Sequence, residues 1–256
     1  MSGVRDWDAA TYDRLSDPQV EMARPVLDRL RLRGDEAVLD AGCGSGRVTR
    51  MLLERLPRGR VVGVDVSPSM VERARAALGA RAEVICADLV ELELDESVDV
   101  AFSNAVFHWI PDHDALFSRL HAALRPGGRL VAQCGGRGNI AQLREVAHAL
   151  TRTPPFAAHF DVAPAPWNYA GPEETERRLR AAGFTEARCW LEPWPVAPPE
   201  PIEYLRTVCL GPYLELLPDE LREPFAEAVA ARLPWPLVLE YVRLNITARR
   251  GSSPGA

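Results

Sequence analysis

Val38-Leu39-Asp40-Ala41-Gly42-Cys43-Gly44-Ser45-Gly46-Arg47-Val48-Thr49 is the stretch on which the reading of the fold turns. An apolar run leads into an acid, three alternating glycines follow, and a helical pattern begins at once. This order of residues predicts a buried strand, a tight loop and a helix N-terminus. A loop of this kind lets a ligand lie against bare backbone, and a Cβ at Gly42 or Gly44 would restrict the turn and hold that ligand away. A dinucleotide site calls for G-x-G-x-x-G, with pyrophosphate on the helix N-terminus. Here Arg47 stands where the third glycine of that pattern belongs, and the spacing is G-x-G-x-G. Asp40, two residues before the first glycine, is out of place against an anion but suits a ligand that carries an ammonium group. Taken alone, the stretch leaves a glycine-rich turn with no ligand as the lesser alternative.

The following segments supply context. Gly59-Arg60-Val61-Val62-Gly63-Val64-Asp65-Val66-Ser67 is a second apolar strand ending in an acid, at the spacing where a carboxylate meets the hydroxyls of a ribose. A third run, Ala82 to Ala87, ends in Asp88-Leu89. Three successive strands that each end in an acid argue for an adenosine cofactor over an empty turn. Asp-x-Gly-x-Gly-x-Gly resembles motif I of the class I S-adenosylmethionine (SAM)-dependent methyltransferases. In that family the acid after the third strand takes the adenine amino group and the next residue packs on the ring. The resemblance implies SAM as cofactor, held by Trp7, Tyr12, Asp40, Ala41, Gly42, Gly44, Gly46, Asp65, Val66, Met70, Asp88, Leu89, Asn104 and Ala105. It also implies an α/β fold with a Rossmann-like seven-stranded sheet in the order 3-2-1-4-5-7-6. Strand seven is antiparallel in that fold, helices cover both faces, and a small helical cap is added.

Further stretches resemble the trans-aconitate methyltransferase group within that family. Trp7-Asp8-x-x-x-Tyr12 is similar to a segment that folds over the cofactor there, with a helix packed outside the sheet as the alternative. Phe102-Ser103-Asn104-Ala105 followed by His108-Trp109-Ile110-Pro111-Asp112-His113 is similar to the group's fourth-strand region, where a Gln or His precedes the Trp. Arg125-Pro126-Gly127-Gly128 before strand five is another shared feature. Tyr241-Val242-Arg243-Leu244 resembles the group's last strand, and Tyr204 to Leu214 is also similar, although Gly211 stands where the group tends to have arginine. The implied acceptor is a small molecule, a carboxylate or other anionic metabolite, with a carbon- or hydroxyl-methyltransferase of a biosynthetic pathway as the alternative.

Substrate contacts are expected from Trp109, Arg137, Trp167, Tyr204, Arg206, Tyr213 and Arg243. Arg137, Arg206 and Arg243 are candidate anion clamps, against the background that most arginines serve as solvated surface groups. His108 is a candidate base, a hydrogen-bond donor to the substrate or a wall of the pocket. An ionised carboxylate acceptor would need no base. Amino-methyltransferases of nucleic acids carry Asn/Asp-Pro-Pro-Tyr/Phe after the fourth strand, and Ser103-Asn104-Ala105-Val106 lacks it. A nicotinamide oxidoreductase is disfavoured by Asp40 and Arg47, and a noncatalytic SAM-fold protein by the intact set of glycines and acids.

Composition narrows the field further. The 256 residues are 47% apolar and 26% charged, within the range of one large α/β domain. A net charge of -6 speaks against a nucleic-acid or anionic-membrane surface. No apolar run has the length of a membrane span, and the N-terminus lacks the apolar core of a signal peptide. The expected location is therefore cytoplasmic, as a monomer or homodimer. The chain has no lysine, so all thirty basic residues are arginine, which excludes Schiff-base chemistry and a P-loop lysine. Cys43, Cys86, Cys134, Cys189 and Cys209 form no C-x-x-C pair, so no metal site is expected and the thiols are read as free and mostly buried.

One methyltransferase domain is expected over 1–250, with cap elements at about 136–182 and 198–236 and a disordered tail at 251–256. Helices are expected at Pro25 to Leu32, Met70 to Leu78, Asp114 to Leu124, Ile140 to Leu150, Glu173 to Ala182, 202–209 and 219–232. Strands five, six and seven are expected at Arg129 to Cys134, Ala187 to Val196 and Tyr241 to Arg250. The proline- and aromatic-rich segment 151–172 reads as irregular and as part of a substrate lid.

Overall fold

The computed structural model describes residues 17–162 and 164–252. Its centre is a seven-stranded sheet in the order β3-β2-β1-β4-β5-β7-β6. The strands are β1 (Ala37–Ala41), β2 (Arg60–Asp65), β3 (Glu83–Cys86), β4 (Val98–Asn104), β5 (Leu124–Gly135), β6 (Phe184–Val196) and β7 (Leu239–Arg250). The first five pair in parallel, and β7 runs antiparallel to both β5 and β6. The order and the reversed strand are those implied by the resemblance.

Alternation along β1 builds both layers, because successive side chains leave a strand on opposite faces. Val38 packs with Val61, Val100, Phe102 and Val131 beneath three helices: α1 (Asp17–Arg29), α2 (Arg47–Glu54) and α3 (Pro68–Leu78). Leu39 and Ala41 face the other way, toward Leu116, Phe117 and Leu120 of α4 (His113–Ala123) and Leu179 of α6 (Pro172–Ala181). Ser67 caps α3 by accepting from the Met70 N–H at 3.4 Å, with Pro68 at the first helical position.

A third cluster lies beyond the carboxyl ends of β4 and β5. It joins α5 (Ala141–Leu150), the 3₁₀ turn Phe156–His159 and the segments between β6 and β7: α7 (Pro201–Tyr204), a π turn (Leu205–Cys209), α8 (Gly211–Leu214) and α9 (Asp219–Ala230). Met22 of α1 is buried in this cluster. The two excursions therefore share one apolar core. Helix α6, within the first of them, packs on the sheet instead.

The structure moves several sequence-derived boundaries. Helix α1 begins at Asp17, and Pro25 lies inside it. Burial of Gln19, Met22, Ala23, Val26 and Leu27 outweighs the backbone bond that the proline removes. Strand β5 starts at Leu124 and carries Pro126-Gly127-Gly128 within it, where the β4 register slips between Val98 and Val100. A Cβ on Gly128 would stand 3.1 Å from the Asp99 carbonyl oxygen, so glycine admits this close approach. Strand β6 starts at Phe184 through a bulge between Thr185 and Arg188, where Glu186 takes φ 51°. The expected helix over 202–209 splits into α7 and the π turn. Of the expected tail, 253–256 lie outside the described residues. Among the described residues, no helix is long and apolar enough to cross a membrane.

Candidate active site

Where β1, β2 and β4 end, the chain leaves a cavity of about 630 Å³, a size suited to a nucleoside-sized ligand. Asp40, Gly42, Gly44, Asp65, Val66, Met70, Asp88, Leu89, Asn104 and Ala105, which the sequence assigned to the cofactor, line it together with Trp109, which the sequence assigned to the substrate. The glycine loop is bound to the neighbouring strand: the Gly42 and Cys43 N–H groups both donate to the Val64 carbonyl, at 2.8 and 3.0 Å. Asp65 in turn accepts from the Gly44 N–H at 2.9 Å and the Ser67 N–H at 3.0 Å, so one carboxylate fixes two loops.

The three glycines have different duties. At Gly42 (φ 89°) a Cβ would fall 2.2 Å from Cγ2 of Val106, so the protein itself fills that space. At Gly44 (φ 53°) a Cβ would meet nothing within 4 Å. Gly46 does not line the cavity; a Cβ there would meet Leu78 at 3.0 Å and the Ala74 Cα at 3.4 Å. Gly46 thus lets α2 and α3 pack closely. Ala41 is also behind the cavity wall, its carbonyl accepting from Ser103 Oγ at 2.6 Å.

Asp40 is 2% exposed and accepts from Thr49 Oγ1 at 2.7 Å. Burial, with Asp65 adding repulsion and Thr49 opposing it, pushes its pKa up to about 7. Asp65 also has its pKa raised by burial, against the three backbone N–H groups that favour its charge. Two desolvated carboxylates facing one cavity create a demand for a cation or for hydroxyl donors. An adenosine bearing a sulfonium amino acid supplies both, so the donor set fits SAM. Among the described residues, no group of His, Cys, Asp and Glu could hold a metal ion.

A second, smaller chamber of about 40 Å³ adjoins the first. Gln19, Ala105 and Trp109 line both. Its walls are aromatic: His108 and Tyr169 stack with centroids 5.6 Å apart, Trp167 and Tyr169 at 5.7 Å and 6°, and Trp109 meets Trp167 at 5.9 Å. Its polar groups include His108, Asn139, Tyr241, Arg243 and Gln19, whose Oε1 is buried without a hydrogen-bond partner. Arg243 is 2% exposed; its Nε donates to Gln133 Oε1 at 3.3 Å, and its Nη2 is buried without a hydrogen-bond partner. The opposite residue on β6, Glu192, accepts from Asn245 Nδ2. Burial lowers the pKa of Arg243, and the thiol and phenol groups of Cys134, Tyr241, Tyr169 and Tyr204 act the other way.

His108 is buried too, and its Nδ1 accepts from the Gly135 N–H at 3.2 Å. Burial first, then Arg243 and His113, hold its pKa well below the ordinary imidazole range. Ala105, on both cavity walls, has φ 63°, a conformation that costs a non-glycine residue on the order of 1 kcal/mol. Its N–H donates to the Gln133 carbonyl at 2.7 Å.

The expected substrate contacts divide. Trp109, Trp167 and Arg243 line the small chamber with His108. Tyr204 and Tyr213 do not; both are buried in the cap core. The Tyr204 hydroxyl accepts from Gln19 Nε2 at 2.9 Å and lies 3.0 Å from the Tyr241 hydroxyl, tying α1 to the cap. Arg137 is exposed and packs over Gly171, away from both cavities. Arg206 pairs with Glu223 at 2.7 Å and Glu203 at 3.4 Å, so its charge is neutralised within the cap. Neither of these arginines is placed as an anion clamp. Trp7 and Tyr12 lie outside the described residues.

The sequence reading missed Gln19, Asn139, Tyr169 and Tyr241. Gln19 belongs to the turn of α1 before Pro25, which the proline signal hid. Val208 and Cys209 reach the chamber through the π turn, where the Leu210 N–H bonds the Leu205 carbonyl at 2.7 Å. No local sequence signal marks that extra residue.

Comparison with known proteins agrees with this geometry. Residues 38–128 match the family model described as a methyltransferase domain. The chain is 32% identical to a trans-aconitate 2-methyltransferase of Methylobacterium nodulans, over 96% of this chain and 99% of the relative. It is 35% identical to one from Azoarcus sp., over 88% of each. Among solved structures, the YcgJ protein of Bacillus subtilis superposes with a TM-score of 0.64 at 17% identity, covering 92% of this chain and 99% of that one. A Haemonchus contortus phosphoethanolamine N-methyltransferase in complex with S-adenosylhomocysteine gives 0.62 at 19% identity, over 95% of this chain and 57% of that one. These structures share the fold. With acid-tipped parallel strands around a nucleoside-sized crevice and full-length relatives of one kind, the chain belongs to the trans-aconitate 2-methyltransferase family of SAM-dependent methyltransferases.

Proposed function

We propose that the chain methylates a carboxylate oxygen of trans-aconitate or a closely similar polycarboxylate. The observation that carries this reading is Arg243: a buried guanidinium with an unpartnered Nη2, in a chamber that shares Gln19, Ala105 and Trp109 as walls with the larger crevice. A buried cation without a carboxylate partner is costly unless a ligand supplies the anion. A bidentate-capable arginine is the side chain best matched to a carboxylate.

In this reading Asp40 faces the ammonium group of SAM, Asp65 the ribose hydroxyls, and Asp88 with Leu89 the adenine. Gly42, Gly44, Val66, Met70, Asn104 and Ala105 form the remaining wall, with Trp7 and Tyr12 assigned to the same cofactor by resemblance. SAM supplies a sulfonium-activated methyl group, and an ionised carboxylate accepts it without releasing a proton. The chain's tasks are then to hold the acceptor in line and to keep water out. Arg243 does the first by gripping one carboxylate. Trp109, Trp167 and Tyr169 do the second by walling the chamber. The protein acts on a free metabolite in the cytoplasm.

The test is an assay with methyl-labelled SAM against trans-aconitate, cis-aconitate, citrate and a monocarboxylate, with the product identified by mass spectrometry. A methyl ester is expected from trans-aconitate, and R243M should raise its KM at least 100-fold while SAM affinity is kept. Methylation of a hydroxyl or carbon acceptor in preference to every polycarboxylate would overturn the reading.

A further inference from the structure

His108 stands in the chamber beside Arg243, and its chemistry is decided by a backbone group. The Gly135 N–H can only donate, and it points at His108 Nδ1 from 3.2 Å. Nδ1 must therefore keep its lone pair. A neutral imidazole with Nδ1 as acceptor carries its proton on Nε2. Gly135 is not free to turn away. It lies in β5, paired across the sheet with Arg243 itself, and a Cβ on it would fall 2.5 Å from the Tyr169 ring. The imidazole is clamped as well, stacked on Tyr169 and meeting the Trp109 ring at 5.2 Å.

The groups facing this imidazole all favour the neutral form. Arg243 from β7 and His113 from α4 oppose a positive charge, and the other neighbours are uncharged: Tyr169, Trp109 and the Cys134 thiol of β5. Asn139, across the chamber, has its Oδ1 occupied by the Val242 N–H at 2.8 Å.

Building on the carboxylate reading above, we propose that His108 is a fixed Nε2–H hydrogen-bond donor to the acceptor and not a base. Together with Arg243 Nη2 it forms a two-donor seat for a carboxylate that the reaction leaves unmethylated. A base at this place would have to take a proton on Nδ1, where Gly135 already donates, or on Nε2, where a proton already sits. Two donors side by side select an anion over an ammonium group, and Gln19 Oε1, a buried acceptor without a partner on the same chamber wall, is available to a hydroxyl or protonated carboxyl elsewhere on the acceptor. The chamber holds about 40 Å³, room for one small planar group. The acceptor class is therefore a molecule with at least two carboxylates, one seated here and another presented to the crevice.

Two measurements test this. Long-range ¹H–¹⁵N correlation spectra of the full-length protein labelled at histidine report the tautomer directly, with no acceptor present. His108 should show a protonated Nε2 and a bare Nδ1 from about pH 6 to 8, the window in which an ordinary histidine titrates. Adding trans-aconitate with S-adenosylhomocysteine should shift the Nε2–H resonance downfield. Kinetics supply the second arm. H108F should raise the KM for trans-aconitate about 10- to 100-fold, the range for one hydrogen bond to a charged group, with a smaller change in kcat. H108Q, which can return an N–H near the Nε2 position, should recover much of that loss, and kcat/KM should show no acidic limb assignable to His108.

An Nδ1–H tautomer, or an acidic limb in wild type that disappears in H108Q, would overturn the proposal. If wild type shows the expected tautomer but methylates no polycarboxylate, the acceptor reading fails and the donor role of His108 stands. An unshifted Nε2–H resonance with a trans-aconitate that is turned over refutes the donor role alone.

Discussion

Replacing Asp40 by Asn removes a charge that its buried position holds at a cost, and the size of that cost follows from its surroundings. The carboxyl is 2% exposed, has one hydroxyl donor in Thr49 and feels Asp65, and its pKa rises from 3.8 to about 7. The folded protein then binds more protons than the unfolded chain between about pH 4 and 7. A carboxyl with its folded pKa above the unfolded value favours folding below about pH 4, and that contribution is lost as pH rises through about 7. A gap of roughly three units sets a ceiling of about 4 kcal/mol at pH 8, and relaxation around the charge brings the expected figure to about 2–4 kcal/mol. Asn keeps the shape, and its amide oxygen can still accept from Thr49. D40N without ligand should therefore melt roughly 5–12 °C higher than wild type at pH 8, at about 2–4 °C per kcal/mol for a chain of this size, and within a few degrees of it at pH 5.

SAM should reverse the ranking. Calorimetry on wild type should show SAM affinity falling up to about tenfold per pH unit below about pH 7, because the Asp40 carboxyl must lose its proton to meet the ammonium group. D40N should bind SAM about 10- to 100-fold more weakly at pH 8, with that acidic limb gone. An equal melting shift at pH 5 and pH 8, or an unchanged SAM affinity in D40N at pH 8, would refute the account of Asp40 as a buried carboxylate awaiting a cation.

Other substitutions separate ligand contacts from packing. D65A should weaken SAM by about 1.5–3 kcal/mol by calorimetry, and an unchanged affinity would count against the ribose assignment. G42A should lose about 2–5 kcal/mol of stability in denaturant titrations, since Val106 already fills the space and φ is positive. G44A should cost only about 1 kcal/mol of stability while SAM affinity falls; a large stability loss there would mean that the loop, not the ligand, demands the glycine. Y204F leaves Gln19 Nε2 without its partner, and thermal melts should show a loss of about 1–3 kcal/mol that bound SAM partly offsets, because Gln19 also lines the cofactor crevice.

The sequence by itself determined the three acid-tipped strands and the glycine turn, because these rest on local rules, while the sheet order and the cofactor followed from the resemblance that those residues carry. An apolar run ends where the acid stands, glycines mark the turn beside it, and a 3.6-residue pattern starts next, all within about twelve residues of Val38. Arg243 was visible as well, through its place in a strand motif.

Tertiary structure decided which of three candidate arginines lacks a counter-ion. Arg206 has Glu223, Arg137 lies on the surface, and Arg243 is buried with no carboxylate partner among the described residues. Charge partners come from segments far apart in the chain, so no spacing rule reveals them. The same holds for Gly46, which reads as a ligand glycine and instead admits α3, and for Tyr204 and Tyr213, whose rings the cap core absorbs. The tautomer of His108 hangs on an N–H twenty-seven residues away, brought alongside by the pairing of β4 with β5. Local sequence sets backbone shape and polarity over a turn or two; burial and electrostatic partnership are properties of the packed chain.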